Sequence, residues 1–469
     1  MKEPFLLTVL LLLPIISMAL SFFSTRKGSP NTTGRNPVAH FSNLWPMLIF
    51  SLAATILGKR LGAPLTFTVL ASLPILLFIP VEDNSGLILK SRRIGSLLFI
   101  FFATGFLVSP DSLWATIFWE GLLTALLFSG TFGKMTKVDD VFRTNGIPFP
   151  LAASALLFPA SMWLSGTLPG EHLHITLFSF MTGLVSLGLF LPSAPFMNWL
   201  IFYPDDRHKE RNFFQKVAVS LVAADGICRF VLPQEAISGQ HFLFSDGRLT
   251  GISIFLLLSA LLAQIQGLAL AWTEPVLFRR ISFLFFSQST LLAASLFLGG
   301  GDRTSILTLL AVTLVVCSVT IAMPLFHIEK QTRHRTLSNL GGLLINMPRT
   351  GTLMALGSIA FSGFPGFAMA SAFSFFPFSD WTKSPLFFSL LLVTASGILL
   401  GRTLGSLFLG EDPKASYRPR DLSIASFSLG ILLLFPLSVL AFHPPGAERG
   451  KGPAPDLRQS HSLKTGPDR

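Results

Sequence analysis

The sequence predicts an all-α polytopic membrane protein of about fourteen transmembrane helices, with two five-helix repeats that contain broken helices. Three observations predict it. Only 13% of the 469 residues are charged, where a soluble domain carries roughly 25%. Hydrophobic residues make up 51%, with 47 Phe, and the mean hydropathy is +0.63; a water-soluble fold of this chain would expose apolar patches it could not cover. Lys and Arg also collect in every second connection between apolar stretches, as they do in the cytoplasmic loops of membrane proteins.

A helix needs about 20 mostly apolar residues to cross the hydrocarbon core. Fourteen such stretches, set off by Pro, Gly and charge, run over 4–23, 43–58, 64–81, 94–109, 112–130, 148–168, 174–203, 213–231, 251–271, 281–300, 304–326, 351–378, 385–408 and 422–442. The first follows Lys2 and Glu3 as a secretory leader would. It lacks a clean small-residue cleavage site and thirteen stretches follow, so it reads as a first span. The expected organisation is N-terminal helices one to three over 1–93, a first five-helix repeat over 94–231, a second over 251–408, a last helix over 422–442 and a polar basic tail over 443–469.

Connections after the odd-numbered stretches, with Lys216 near the start of the eighth stretch counted among them, hold 22 Lys and Arg, against six on the other side outside the tail. Positive loops stay inside, so both termini are expected on the non-cytoplasmic side of a cytoplasmic or inner membrane. A missed span would have scrambled the alternation beyond it. The net charge of +11 is thereby assigned to loops against a lipid bilayer, and no nucleic-acid partner is expected.

Several function classes find no support. Cys228 and Cys317 both lie in apolar runs, which argues against a disulfide framework or a Cys-based metal site. None of the nine histidines is central in a span, so facing His ligands for haem or metal are not predicted; no cofactor is expected. The longest excursions, near 232–250 and 327–350, are too short for a soluble catalytic domain. Gly299, Gly300 and Gly301 lack the Lys-Ser/Thr ending of a phosphate loop and read as a tight turn.

Ionisable residues deep in a membrane are functional candidates by default. Glu120 sits at the middle of the fifth stretch, in Trp119-Glu120-Gly121, and Asp225 about three residues past the middle of the eighth, with Lys216 earlier and Arg229 one turn later. Glu120, Lys216 and Asp225 are therefore proton-pathway candidates. Plainer readings stand beside them: a neutral, hydrogen-bonded structural carboxyl for Glu120, an i,i+4 ion pair of Asp225 with Arg229, and a snorkelling ammonium for Lys216. Gln264, Gln266, Ser287, Gln288 and Ser289 read as interhelical hydrogen-bond glue.

Two spans are interrupted alike. The seventh contains Pro192 and Pro195; the twelfth contains Gly363-Phe364-Pro365-Gly366. Each is long, uncharged and fourth in its block of five. Matched broken helices mark repeat-built transporters, because unwound backbone is tolerated only where it is buried or lines a cavity. Pro195, Gly363 and Pro365 are the broken-helix candidates, and ordinary proline kinks are the alternative.

These residues carry a resemblance. His334-Arg335-Thr336, Asn339-Leu340-Gly341-Gly342-Leu343, Met347-Pro348-Arg349-Thr350, Gly357 and Gly363-Phe364-Pro365-Gly366 form one series. Upstream stand Phe278-Arg279-Arg280, Ser287-Gln288, Pro195-Phe196, Trp199-Leu200, Pro204-Asp205 and Trp119-Glu120. Together they resemble the antiporter-like subunits of respiratory complex I, Mrp-type sodium/proton antiporters and membrane-bound hydrogenases, over roughly 110–380. The resemblance implies fourteen spans, other membrane subunits as partners, and proton or cation movement through half-channels that meet at buried ionisable groups. It implies no catalytic site in this chain, which would serve an NADH:quinone oxidoreductase or hydrogenase-type complex.

The chain departs from the family at Phe190, where a lysine is expected, and at Met197, where a histidine is expected. Its eleventh span lacks Lys and His from Thr304 to Phe326, and Ala370 to Phe375 lack the twelfth-span lysine. Of the family's central polar axis only the glutamate has a clear counterpart. The alternative function is accordingly a degenerate, non-conducting structural subunit.

Overall fold

The computed structural model describes residues 64–78, 86–109, 111–131, 148–167, 173–191, 209–233, 244–245, 248–249, 251–296, 303–374, 384–410 and 419–442, with Leu12, Phe50, Ser51 and Ala54. The helices are α1 (Pro64–Phe78), α2 (Gly86–Val108), α3 (Ser112–Thr131), α4 (Pro148–Thr167), α5 (Leu173–Gly188) and α6 (Lys209–Gly226). A two-residue hairpin, β1 (Phe244–Ser245) with β2 (Arg248–Leu249), leads into α7 (Gly251–Thr273) and α8 (Leu277–Leu296). Then follow α9 (Arg303–Thr332), α10 (Pro348–Phe361), α11 (Ala368–Ser374), α12 (Ser384–Phe408) and α13 (Ile424–Phe442).

Among the described residues each predicted stretch from the third to the fourteenth is helical, and α10 with α11 shares the twelfth. The first two stretches lie outside the described residues apart from Leu12, Phe50, Ser51 and Ala54. By length and composition α7, α9 and the Leu391–Phe408 part of α12 suffice to cross a bilayer. Two helices outrun their apolar cores. α2 begins at Gly86 and carries Lys90, Arg92 and Arg93 in its first turns; α9 continues through Pro324 to Thr332, its polar last turns ending at a connection.

α9 is the hub. It packs on α1, α6, α8, α10, α11 and α13, and from Ser305 to Ile328 nearly every side chain is buried. Aromatic contacts tie α6 to the second half: Phe213 meets Phe285 of α8 at 5.3 Å between ring centroids, and Phe214 meets Phe326 of α9 at 6.2 Å. The antiparallel pair α2 and α3 is interlocked. A Cβ at Gly105 would lie 2.1 Å from the Phe118 ring, and one at Gly121 would lie 2.2 Å from Phe102. Each helix offers a glycine where the other offers a phenylalanine, which lets the backbones approach as membrane helices do through small residues.

Candidate functional site

Glu120 stands near the middle of α3. The buried face of that helix is Ala115, Trp119 and Leu122. Glu120 falls on the other side, on a stripe with the exposed Leu113, Ile117 and Thr124 at helical spacing. The residue is half-buried, and its Oε1 is enclosed with no hydrogen-bond partner among the described residues. Glu120 thus stands at mid-helix on the edge of the exposed stripe, with one carboxylate oxygen enclosed.

Its neighbour Trp119 looks inward and organises a polar thread. Trp119 Nε1 donates to Ser154 Oγ at 3.0 Å, and Ser154 Oγ lies 3.0 Å from Ser186 Oγ, joining α3, α4 and α5. α5 ends at Gly188. The chain tightens through Phe190 N–H to Leu187 C=O and Leu191 N–H to Gly188 C=O, both 3.0 Å. The carbonyl freed at Phe190 accepts the Ser220 hydroxyl of α6 at 2.9 Å. The helix therefore leaves α geometry before Pro192; Pro192 and Pro195 lie outside the described residues. Phe190, where the resemblance leads to a lysine being expected, is fully buried and meets Trp119 edge-on at 5.4 Å. Aromatic packing occupies the place of a charge.

On α6, Lys216 is half-buried and Asp225 is buried. Nine residues apart, they lie about 13 Å apart along the axis and on opposite sides of the helix. Asp225 Oδ1 accepts the Thr66 hydroxyl of α1 at 3.0 Å, while Oδ2 is buried without a hydrogen bond among the described residues. Asp225 and Arg229 lie within electrostatic reach of each other, but no hydrogen bond joins them among the described residues. After Gly226 the backbone widens into a π-turn, Ile227–Val231, which shifts Arg229 off the i,i+4 position. Arg229 Nη2 donates instead to the Ser109 carbonyl at the end of α2, 2.9 Å away.

The twelfth span is broken where the sequence places the break. α10 stops at Phe361 and α11 starts at Ala368; between them Gly363 (φ +75°) and Gly366 (φ +97°) take left-handed backbone that a side chain would disfavour. Pro365 sits between them, exposed. The start of α10 is held by Asp421 from the connection before α13. That carboxylate accepts Arg349 N–H (2.9 Å), Thr350 N–H (3.0 Å), Thr350 Oγ1–H (2.7 Å) and its neighbour Leu422 N–H (2.8 Å). His327 Nε2 of α9 donates to the adjacent Arg420 carbonyl at 2.7 Å.

The three proton-pathway candidates lie on two helices: Glu120 on α3, Asp225 on α6 bonded to Thr66 of α1, and Lys216 on the side of α6 opposite Asp225. Sequence reasoning missed Thr66, Ser154, Ser186, Ser220 and Asp421, which are the partners these features use. A lone Ser or Thr in an apolar run signals only that some interhelical bond is possible. Of the predicted glue, Ser287 Oγ donates to the Gln264 carbonyl at 3.0 Å. Gln288 is buried with neither amide atom bonded among the described residues.

No family model matches the sequence, and no curated protein matches it. Solved structures do. A chain of the membrane-bound sulfane sulfur reductase (MBS), an archaeal respiratory membrane complex, aligns over 98% of this chain and 78% of its own with TM-score 0.71 and 14% identity. A chain of respiratory complex I from Thermus thermophilus with bound NADH gives TM-score 0.72 over 95% and 97% at 16% identity. The chain has the antiporter-like subunit fold. A chain of the Mrp complex from Dietzia sp. DQ12-45-1b agrees, with TM-score 0.67 over 93% and 95% at 13% identity. That shared fold is multi-pass and helical, as the composition requires.

Proposed function

We propose that the chain is a proton- or cation-translocating antiporter-like subunit of a multi-subunit complex in a cytoplasmic membrane, with both termini on the non-cytoplasmic side. The observation that carries this reading is Glu120: a mid-helix carboxyl on an outward stripe whose Oε1 is enclosed without a partner. An ionised acid at mid-membrane costs on the order of 3 kcal/mol on insertion scales. Retaining one half-buried at the edge of an exposed stripe makes sense where a neighbouring membrane subunit supplies a donor or cation to it. The proton path then runs between subunits at Glu120, not through a Glu120–Lys216–Asp225 chain. In this reading α2–α6 and α7–α12 are the two repeats, and the ends of α5 and α10 are their broken elements.

The Phe190–Trp119 contact favours a second reading, a structural subunit that assembles the complex without conducting. Glu120→Gln separates the two, because Gln keeps the shape and loses the proton site. In vesicles containing the whole complex the variant is expected to assemble normally and lose proton flux. Undiminished flux would remove the conducting role and leave the structural one.

A further inference from the structure

Arg402 is the one charged residue of α12. It lies six residues before the end of the helix, about 9 Å inward by helical rise, and its side chain is exposed, not packed in the core. The guanidinium carbon sits 5.2 Å from the ring centroid of Trp272 at the end of α7, and Trp272 is itself 57% exposed. The cation–π contact uses one face of the guanidinium and leaves its N–H edge outward. Among the described residues no acceptor takes a hydrogen bond from that edge.

A second guanidinium stands beside it. Arg280 Nε donates to the Glu274 carbonyl at 2.9 Å and Nη2 to the Trp272 carbonyl at 3.4 Å, which folds Arg280 back over the α7–α8 turn. There it lies within electrostatic reach of both Arg402 and Glu274. The Glu274 carboxylate accepts the Val276 N–H in the same turn, 3.2 Å away. One carboxylate committed to a turn does not neutralise Arg280, Arg402 and the exposed Arg279. Two guanidiniums that both contact Trp272 and lie within electrostatic reach of each other favour an anion that both can approach.

The surface running away from this rim is apolar. Leu262 and Ile265 of α7 and Leu391 and Ile398 of α12 are exposed along packed neighbouring helices. Beside Arg402, side-chain positions at Gly401 and Gly405 open into empty space. Indole and guanidinium at a helix end over an apolar stripe match a headgroup above acyl chains. We propose that the Arg402, Trp272 and Arg280 rim binds the phosphate of an anionic membrane phospholipid whose acyl chains lie along the α7–α12 stripe. The inference needs the chain in a membrane but not proton conduction, so normal flux in Glu120→Gln leaves it standing.

The test uses the full chain in phosphatidylcholine nanodiscs, with brominated phosphatidylglycerol or brominated phosphatidylcholine as the quencher of Trp272. The Trp272→Phe difference isolates that fluorophore. Phosphatidylglycerol is expected to quench preferentially, and Arg402→Gln to lower that preference about tenfold, as loss of a charge-assisted hydrogen bond predicts. Arg280→Gln should give a smaller loss and Arg402→Lys a partial rescue; these two carry the test should Arg402→Gln fail to fold. Inorganic phosphate alone should not compete, since it lacks the acyl chains. Equal quenching by both lipids, an unchanged preference in both Gln variants, or full displacement by inorganic phosphate would overturn the proposal. So would a photo-crosslinker at Ile398 that captures a protein of the complex in place of lipid.

Discussion

Asp421 lies between α12 and α13, yet its carboxylate caps the amides of Arg349 and Thr350 at the start of α10, more than seventy residues earlier. Partial burial by itself would raise its pKa. The Thr350 hydroxyl and the amides of Arg349, Thr350 and Leu422 outweigh that and hold it below its ordinary value of 3.8. A depressed carboxylate pKa contributes stability that is fully present above 3.8 and is lost as the pH falls through the lowered value. Asp421→Ala is therefore expected to cost about 1 kcal/mol, the worth of a helix N-cap, seen as a lower unfolding midpoint at neutral pH. The gap from the parent chain should close toward strongly acidic pH; a constant gap would mean the carboxylate charge is not what holds α10. Thr66→Val tests a second carboxyl. It strips from buried Asp225 the Thr66 hydrogen bond and should destabilise by about 1–3 kcal/mol, the cost of an unsatisfied buried polar group. A double variant with Asp225→Asn should recover part of that loss in the same unfolding measurement.

Elements divide sharply into those legible in sequence and those not. The break in the twelfth span was legible because Gly363, Pro365 and Gly366 have few conformations in common with an uninterrupted helix. The helices were legible because apolar length is a bilayer requirement. The facing of α3 was not: toward lipid and toward core the side chains are alike apolar, so the run 112–130 shows no amphipathic stripe to say that Glu120 turns outward and Trp119 inward. The π-turn at Ile227–Val231 was likewise invisible, since no residue type announces it, and Arg229 within it donates to the Ser109 carbonyl. The α2–α3 pair offers a test at this scale. Gly105→Leu would drive a side chain into the Phe118 ring, and overpacking of that kind costs roughly 1–3 kcal/mol. Phe118→Ala introduced with it should restore much of the unfolding midpoint, whereas no rescue would mean that the two helices do not meet there.

At the scale of the molecule, the charge bias and the hairpins make one joint statement about sidedness. Asp111 lies in the short connection between α2 and α3, and Arg279 stands at the start of α8 just past the α7–α8 turn; both are exposed. The connection at Asp111 follows the fourth stretch and the turn before Arg279 follows the ninth, so fourteen alternating spans put them on opposite sides of the membrane. The count matters here, because a single span gained or lost between them would put both on one side. Cys228 and Cys317 are the only thiols, and both lie within helical spans, so a chain with both replaced by Ala gives a clean background. Asp111→Cys in that background should react with an impermeant maleimide from outside intact cells. Arg279→Cys should react only after the membrane is opened, because the 22 to six excess of Lys and Arg assigns its side to the cytoplasm. Labelling of both from outside would break the alternation of spans between Asp111 and Arg279. Labelling with the two sides exchanged would keep the fold and reverse its orientation, and with it the direction of any proton flux through Glu120.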